Sequence, residues 1–249
     1  MREKIIILLL ICVVHISLAQ NLKEQSTIGF AVVELFTSQG CSSCPAADKV
    51  LSEVINDARK NNKPVYAFSY HVDYWNKYGW KDPYSSMQFT RRQNNYVSAL
   101  NADEVYTPQV FVNGKTYLLG SDKKKLQTEI DKELKAPVKQ TLQISKSTIL
   151  KADTLVLNYN TNKADKNYSL VVAVVQRGLT NKIGKGENSG KTLTHDNVVR
   201  VFEIFPVDSA KGIVQIPMKK FKAEKNCSLY AYVQQKQSKQ ILAVTGFDF

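Results

Sequence analysis

The sequence is short of cysteine, of acidic side chains and of apolar runs long enough to cross a membrane. Four cysteines occur in 249 residues, and Cys12 lies inside the opening apolar stretch. The other three, Cys41, Cys44 and Cys227, cannot make a stapling framework of disulfides. The apolar stretch Ile5 to Leu18 falls short of the roughly 20 residues that a spanning helix needs. No flavin or nicotinamide fingerprint appears, and no glycine-rich loop has the strand–loop–helix setting that cradles phosphate. Electron transfer by this chain would therefore draw on a partner protein and on no bound cofactor. Acidic residues number 22 against 34 lysines and arginines, a net charge of +12. Most of that excess falls in residues 137–249, with 17 basic and 8 acidic side chains. The lysines are scattered, which reads as the solvated face of a sheet and not as a nucleic-acid surface.

Arg2 and Lys4 precede the apolar stretch, and Ser17-Leu18-Ala19 supplies small residues where a signal peptidase reads. Residues 1–19 are thus expected to be a secretory signal peptide. Export, periplasmic or secreted, is a setting in which disulfides persist. No membrane span is expected after cleavage. The remaining chain has room for two modest domains, residues 20–136 and 137–249.

In the first of these, Gly29 to Phe36 is a nearly continuous apolar run, the pattern of a strand buried on both faces. From Ser42 the apolar residues Ala46, Ala47, Val50, Leu51, Val54 and Ile55 recur at helical spacing, with Pro45 in the first turn. Pro64 to Tyr70 reads as a second strand, parallel to the first. Met87 to Leu100 reads as a helix whose Arg91, Arg92 and Gln93 form a solvated face. Pro108–Val112 and Lys115–Leu119 are joined by Asn113-Gly114, a strong hairpin signal. A last helix over 123–135 is capped by Ser121 or Asp122. The second half changes to about seven short strands with polar turns, the pattern of a small β-sandwich. The cysteine and tryptophan marks of a true immunoglobulin domain are missing. The polar segment 180–197, with Glu187 and His195, receives no chemistry.

The order β-α-β-α-β-β-α, Cys41-Ser42-Ser43-Cys44 at the start of the first helix, and Thr107-Pro108 at the start of the third strand together resemble thioredoxins and glutaredoxins. The fold class expected is α/β: a thioredoxin-like domain followed by a small all-β sandwich-like domain. Glu34-Leu35-Phe36-Thr37-Ser38-Gln39-Gly40-Cys41-Ser42-Ser43-Cys44-Pro45, Tyr70 to Trp75, Gly79 to Pro83 and Val105 to Gln109 resemble the domain-of-unknown-function 1223 family of exported proteins. Gly186 to Gly190, Leu193-Thr194-His195 and Val198-Val199-Arg200 are similar to that family's second half. The resemblance implies an exported, thioredoxin-like protein and no particular reaction.

A helix N-terminus lowers a thiol's pKa, so Cys41 is expected to be an accessible nucleophile and Cys44 the resolving thiol. Pro108 is expected to be cis, exposing the Thr107 backbone to a substrate chain. The resemblance to thioredoxins implies a buried carboxylate, Glu34, that accepts the proton of Cys44. His71, Asp73, Trp75 and Trp80 form a segment expected to cover Cys41, with Asp73 orienting His71. Thiol–disulfide exchange on protein cysteines, with an unidentified redox partner, is the leading expectation. The alternatives are copper handling by Cys41, Cys44 and His71, and a non-catalytic partner-binding protein, which deep burial of both sulfurs would favour. The sequence fixes no oligomeric state.

Overall fold

The computed structural model describes residues 29–147, 153–218 and 221–249; the expected signal peptide lies outside them. Strand β1 (Ala31–Thr37) is buried along its whole length. It pairs in parallel with β2 (Val65–His71) and antiparallel with β3 (Gln109–Val112), which turns through Asn113-Gly114 into β4 (Thr116–Leu119). Helix α1 (Cys44–Lys60) lays Ala47, Val50, Leu51, Val54 and Ile55 on Ala31, Val33, Leu35 and Ala67. Helix α3 (Lys123–Leu134) adds Leu126 and Ile130 to the same face, and its N-cap Asp122 accepts a hydrogen bond from Lys125 N. On the opposite face, Val32, Phe36, Phe68, Tyr70 and Phe111 pack with Phe89 and Tyr96 of α2 (Met87–Ala99). Period-two alternation along β1 separates these two layers.

The second half contributes β5 (Leu142–Lys146), β6 (Thr154–Thr161), β7 (Tyr168–Gln176), β8 (Leu179–Lys182), β9 (Thr192–His195), β10 (Val198–Pro206), β11 (Lys211–Pro217), β12 (Cys227–Gln235) and β13 (Ile241–Asp248). Strands β5, β6 and β11 form one small sheet. Its Leu157, Val214 and Ile216 meet Leu170, Val172, Leu229 and Val233 across an apolar layer. Cys227, a free thiol, is buried there. The segment 180–197, read from sequence as a polar loop, instead carries the β8–β9 hairpin.

The larger layer does not stop at the second half. Its order is β13-β12-β7-β10-β2-β1-β3-β4, one eight-stranded sheet that crosses the boundary expected at 136/137. The seam is a single parallel pair, Val198 opposite Ser69. Asn197 reinforces it, accepting from Ser69 N at 2.9 Å through its carbonyl and donating from Nδ2 to Ala67 O at 2.8 Å. Strand β7 is consequently buried on both faces, which is why Leu170 to Val175 is uninterrupted apolar sequence. The protein is a mixed α/β structure with one large sheet and few helices.

A buried ion pair spans the two halves. Glu34 faces the α2 layer and takes both carboxylate oxygens to Arg92 Nη2, at 2.8 and 3.0 Å. Tyr232 of β12 donates to Glu34 Oε1 at 2.9 Å, and Tyr96 donates to Oε2. Arg92 is 7% exposed and stacks within 5.7 Å of the rings of Tyr70, Tyr96, Phe202 and Tyr232. Burial alone would push the guanidinium's pKa down; the Glu34 charge reverses that and holds it up. Two expectations are corrected here. Arg92 and Gln93 are not solvated but buried. Glu34 cannot accept the proton of Cys44, because alternation points it to the face opposite α1, where Arg92 neutralises it. Removing one partner of a buried pair leaves the other charged and unpaired. Arg92→Met should therefore cost about 3–5 kcal/mol of stability, measured by urea denaturation; a loss under about 1 kcal/mol would contradict this role.

Candidate functional site

Strands β1 and β2 run parallel, and the turn that follows β1 carries the cysteines. Cys41 and Cys44 form a disulfide with their Cα atoms 5.4 Å apart. Helix α1 opens at Cys44, with Ser43 as its N-cap, so Cys41 stands in the preceding turn and its carbonyl accepts from Cys44 N. The Thr107-Pro108 peptide is cis. Cys41 Sγ lies 3.8 Å from Thr107 O and 3.3 Å from Ser43 Oγ.

The segment after β2 wraps this turn. Trp75 Nε1 donates to Thr107 Oγ1 at 2.7 Å, and Trp80 Nε1 donates to Gln39 Oε1 at 3.0 Å. Gly40 permits the approach: a Cβ there would stand 3.3 Å from Trp75 Cβ. Trp75 and Trp80 thus sit beside the cysteine turn. Asp73 does not orient His71. Its Oδ1 accepts from Thr90 Oγ1 at 2.6 Å, and the partner of His71 is Asp82, at 2.7 Å from Nδ1. Asp82 Oδ2 also accepts from Gln39 N at 2.8 Å, which ties the imidazole to the cysteine turn. His71 is wholly buried at the end of β2 and is no part of a surface lid.

The other side is closed by the turn between β8 and β9. Asn188, fully buried, donates from Nδ2 to Gln39 O at 3.0 Å and to Cys41 O at 2.8 Å. Glu187 Oε2 accepts from Ser42 N at 2.9 Å, and the Ser42 hydrogen bonds hold its carboxyl below the usual value. A carboxylate on a free N–H ahead of a helix is a favoured arrangement. Gly186 adopts φ +77° where a side chain would press on Tyr78 O and Trp80 Cβ. Enclosed in this way, Cys41 and Cys44 are both 0% exposed. That overturns the expectation of an accessible Cys41. The sequence allows the 180–197 segment to fold back on the first half, but does not single out Asn188 or Glu187 as the residues that close the site.

Of the residues of the copper alternative, Cys41 and Cys44 are joined in the disulfide and His71 is held by Asp82. Among the described residues, no group of three histidine, cysteine, aspartate or glutamate side chains is placed to hold a metal ion. His71 instead meets His195 of β9, ring centroids 4.8 Å apart, and His195 Nδ1 lies 3.3 Å from Asp48 Oδ2. Sequence reading passed over Asp48, although a carboxylate between Ala47 and Leu51 on the apolar face of α1 was visible.

Burial would push His71 down, but the charge and hydrogen bond of Asp82, helped by Asp48, outweigh it and hold the imidazole above its ordinary 6.5. Burial would likewise push Asp82 up, but His71 and the Gln39 and Tyr84 N–H groups hold it below its ordinary 3.8. A raised imidazole stabilises the fold fully below 6.5 and loses that contribution as pH rises through the folded value. A lowered carboxyl stabilises above 3.8 and loses that contribution as pH falls through the folded value. Wild type should therefore exceed Asp82→Asn in stability by the widest margin between pH 3.8 and 6.5. Denaturation midpoints across pH check this; a margin that does not vary with pH would count against a charged pair.

No curated protein matches the chain. Among solved structures, protein AGR_C_4864 from Agrobacterium tumefaciens is 27% identical with a TM-score of 0.65, over 90% of this chain and 95% of that one. A β-glucuronidase from Ruminococcus gnavus also aligns, at 10% identity and a TM-score of 0.24, over 45% of this chain and 16% of the enzyme. A score that low carries no argument. A family model described as a protein of unknown function, DUF1223, matches residues 32–234, so the chain belongs to that family.

Proposed function

We propose that the protein is an exported thiol–disulfide oxidoreductase of thioredoxin-like fold that acts on protein cysteines through Cys41-Ser42-Ser43-Cys44. The observation that carries this reading is the placement of Cys41 Sγ 3.8 Å from the Thr107 carbonyl, next to the cis Thr107-Pro108 bond. A substrate chain can pair with that backbone as an added strand, which holds its own sulfur in line with the disulfide. Strands β2-β1-β3-β4, with α1 and α3 on one face and α2 on the other, are read here as the thioredoxin-like unit, residues 20–136. A closed disulfide is compatible with an oxidising, exported compartment. Electrons would pass to or from a redox partner protein.

Burial of both sulfurs sets the condition for this chemistry. The 183–191 turn must move aside before a substrate thiolate reaches Cys41. Its polar ties to the cysteine turn are the two Asn188 hydrogen bonds and the Glu187 contact, beside the packing of Gly186 against Trp80, so it can open without unfolding the sheet. One other reading has an observation in its favour: zero exposure of both cysteines also fits a structural disulfide in a non-catalytic partner-binding protein.

The two readings separate in one assay. Wild type should oxidise the thiols of a reduced, unfolded test protein, or in its dithiol form reduce that protein's disulfides, and Cys41→Ser should be inert. Asn188→Ala removes the two hydrogen bonds that tie the 183–191 turn to the cysteine turn, worth about 1 kcal/mol each. Its disulfide should therefore react with dithiothreitol about tenfold faster or more. A disulfide that reacts no faster in Asn188→Ala, with wild type inert toward the test protein, would establish the structural reading instead.

A further inference from the structure

Opening a buried disulfide raises the question of where a proton comes from. When a thiolate attacks Cys41, Cys44 departs carrying negative charge into an interior that disfavours it. The described residues hold one other buried carboxylate near α1 that has no strong cation beside it. Asp48 follows Cys44 by four residues, which places the two on the same helix face with their Cβ atoms about 5–6 Å apart. Cys44 is 0% and Asp48 5% exposed. Neither oxygen of Asp48 has a hydrogen bond, and neither ring nitrogen of His195 has one. Yet His195 Nδ1 stands 3.3 Å from Asp48 Oδ2, and β9 packs directly on α1.

Buried polar groups are nearly always hydrogen-bonded. Four such atoms without a hydrogen bond, on two side chains in contact and one helical turn from a reactive sulfur, point to a group that exchanges a proton. The surroundings are defined on every side. His71 of β2 packs edge-on against His195 and is itself held by Asp82; Tyr84 lies beside both imidazoles; Arg200 of β10 adds positive charge from the seam. Glu34, the carboxylate first expected in this role, is bound by Arg92 across the sheet.

We propose that Asp48 and His195 share one proton, deliver it to Cys44 Sγ when the disulfide opens and recover it when the disulfide closes. This rests on the thiol–disulfide reading of Cys41 and Cys44. In the reducing direction the co-reactant is a protein dithiol. One of its thiolates forms a bond to Cys41 Sγ, the Cys41–Cys44 bond breaks, and Cys44 leaves with the electron pair. Cys44 then takes the proton held by Asp48 and His195. The second thiolate of the dithiol attacks the mixed disulfide, and Cys41 leaves as thiolate. Two electrons have passed from the dithiol to the protein, and one disulfide has replaced another. Oxidation of a substrate is the same sequence reversed, with the proton returning to the pair.

The histidines provide the readout. Among the described residues only His71 and His195 carry imidazoles, so NMR titration can follow each one. The comparison is between the full chain in its disulfide form and Cys41→Ser, which leaves Cys44 as a free thiol without any reductant. The His195 titration curve should shift between the disulfide form and Cys41→Ser, because a free Cys44 thiol competes with Asp48 and His195 for the shared proton. Adding Asp48→Asn should abolish that shift. Identical His195 curves in the disulfide and free-thiol forms would overturn the proposal, and this comparison suffices even where Asp48→Asn fails to fold. Because it involves no exchange reaction, failure of the relay and failure of the oxidoreductase reading are separate results.

Discussion

The Glu34–Arg92 ion pair fixes how the two halves of the chain meet. Glu34 belongs to the central strand, Arg92 to α2, and the tyrosine that completes the pair's hydrogen bonding belongs to β12, close to the end of the chain. A buried charge pair tolerates little displacement, since each partner would be left with a desolvated charge. With β12 so placed, β7 and β10 extend the sheet from β2. The hairpin between β7 and β10 then has one place to go, over the turn that holds Cys41. The cover of the disulfide is therefore a consequence of a contact on the other face of the sheet.

That cover gives the site its character. The helix start, the Thr107 carbonyl and the paired sulfurs form an arrangement suited to exchange, but they are shut beneath Asn188, Glu187, Trp75 and Trp80. A disulfide in this state resists adventitious thiols. Under the proposed exchange it would react only with a partner able to displace the turn and to occupy the Thr107 backbone. Behind it, Asp48, His195, His71 and Asp82 form a chain of titratable groups that reaches from α1 to the cysteine turn through Gln39 N. Glu187 places a negative charge against the cysteine turn that receives the incoming thiolate, so approach of the thiolate repels the cover and favours its release.

Much of this was legible in the sequence because it rests on local pattern. Apolar periodicity located the three helices and most of the strands, and Asn113-Gly114 marked its hairpin. Alternation along β1 even contained the face that Glu34 would take; the resemblance to thioredoxins drew attention away from it. What stayed hidden depends on contacts between residues far apart in the chain. Arg92 looked solvated because its partners lie 58 and 140 residues away. Asn188 and Glu187 reach the cysteine turn from 145 residues away or more, and nothing local distinguishes them from ordinary loop polars. Asp73 was chosen to orient His71 for its nearness in sequence, whereas the strand end points the imidazole toward Asp82.

The central claim, that Cys41 exchanges disulfides with protein substrates, is tested most directly by trapping the intermediate. Cys44→Ser leaves Cys41 without its resolving partner. Incubated with a test protein that carries one disulfide, it should accumulate a covalent adduct, joined through Cys41 and visible by intact-protein mass spectrometry. Cys41→Ser should form none. Absence of the adduct in Cys44→Ser, with Cys41 shown to be a free thiol in the folded protein, would contradict the account.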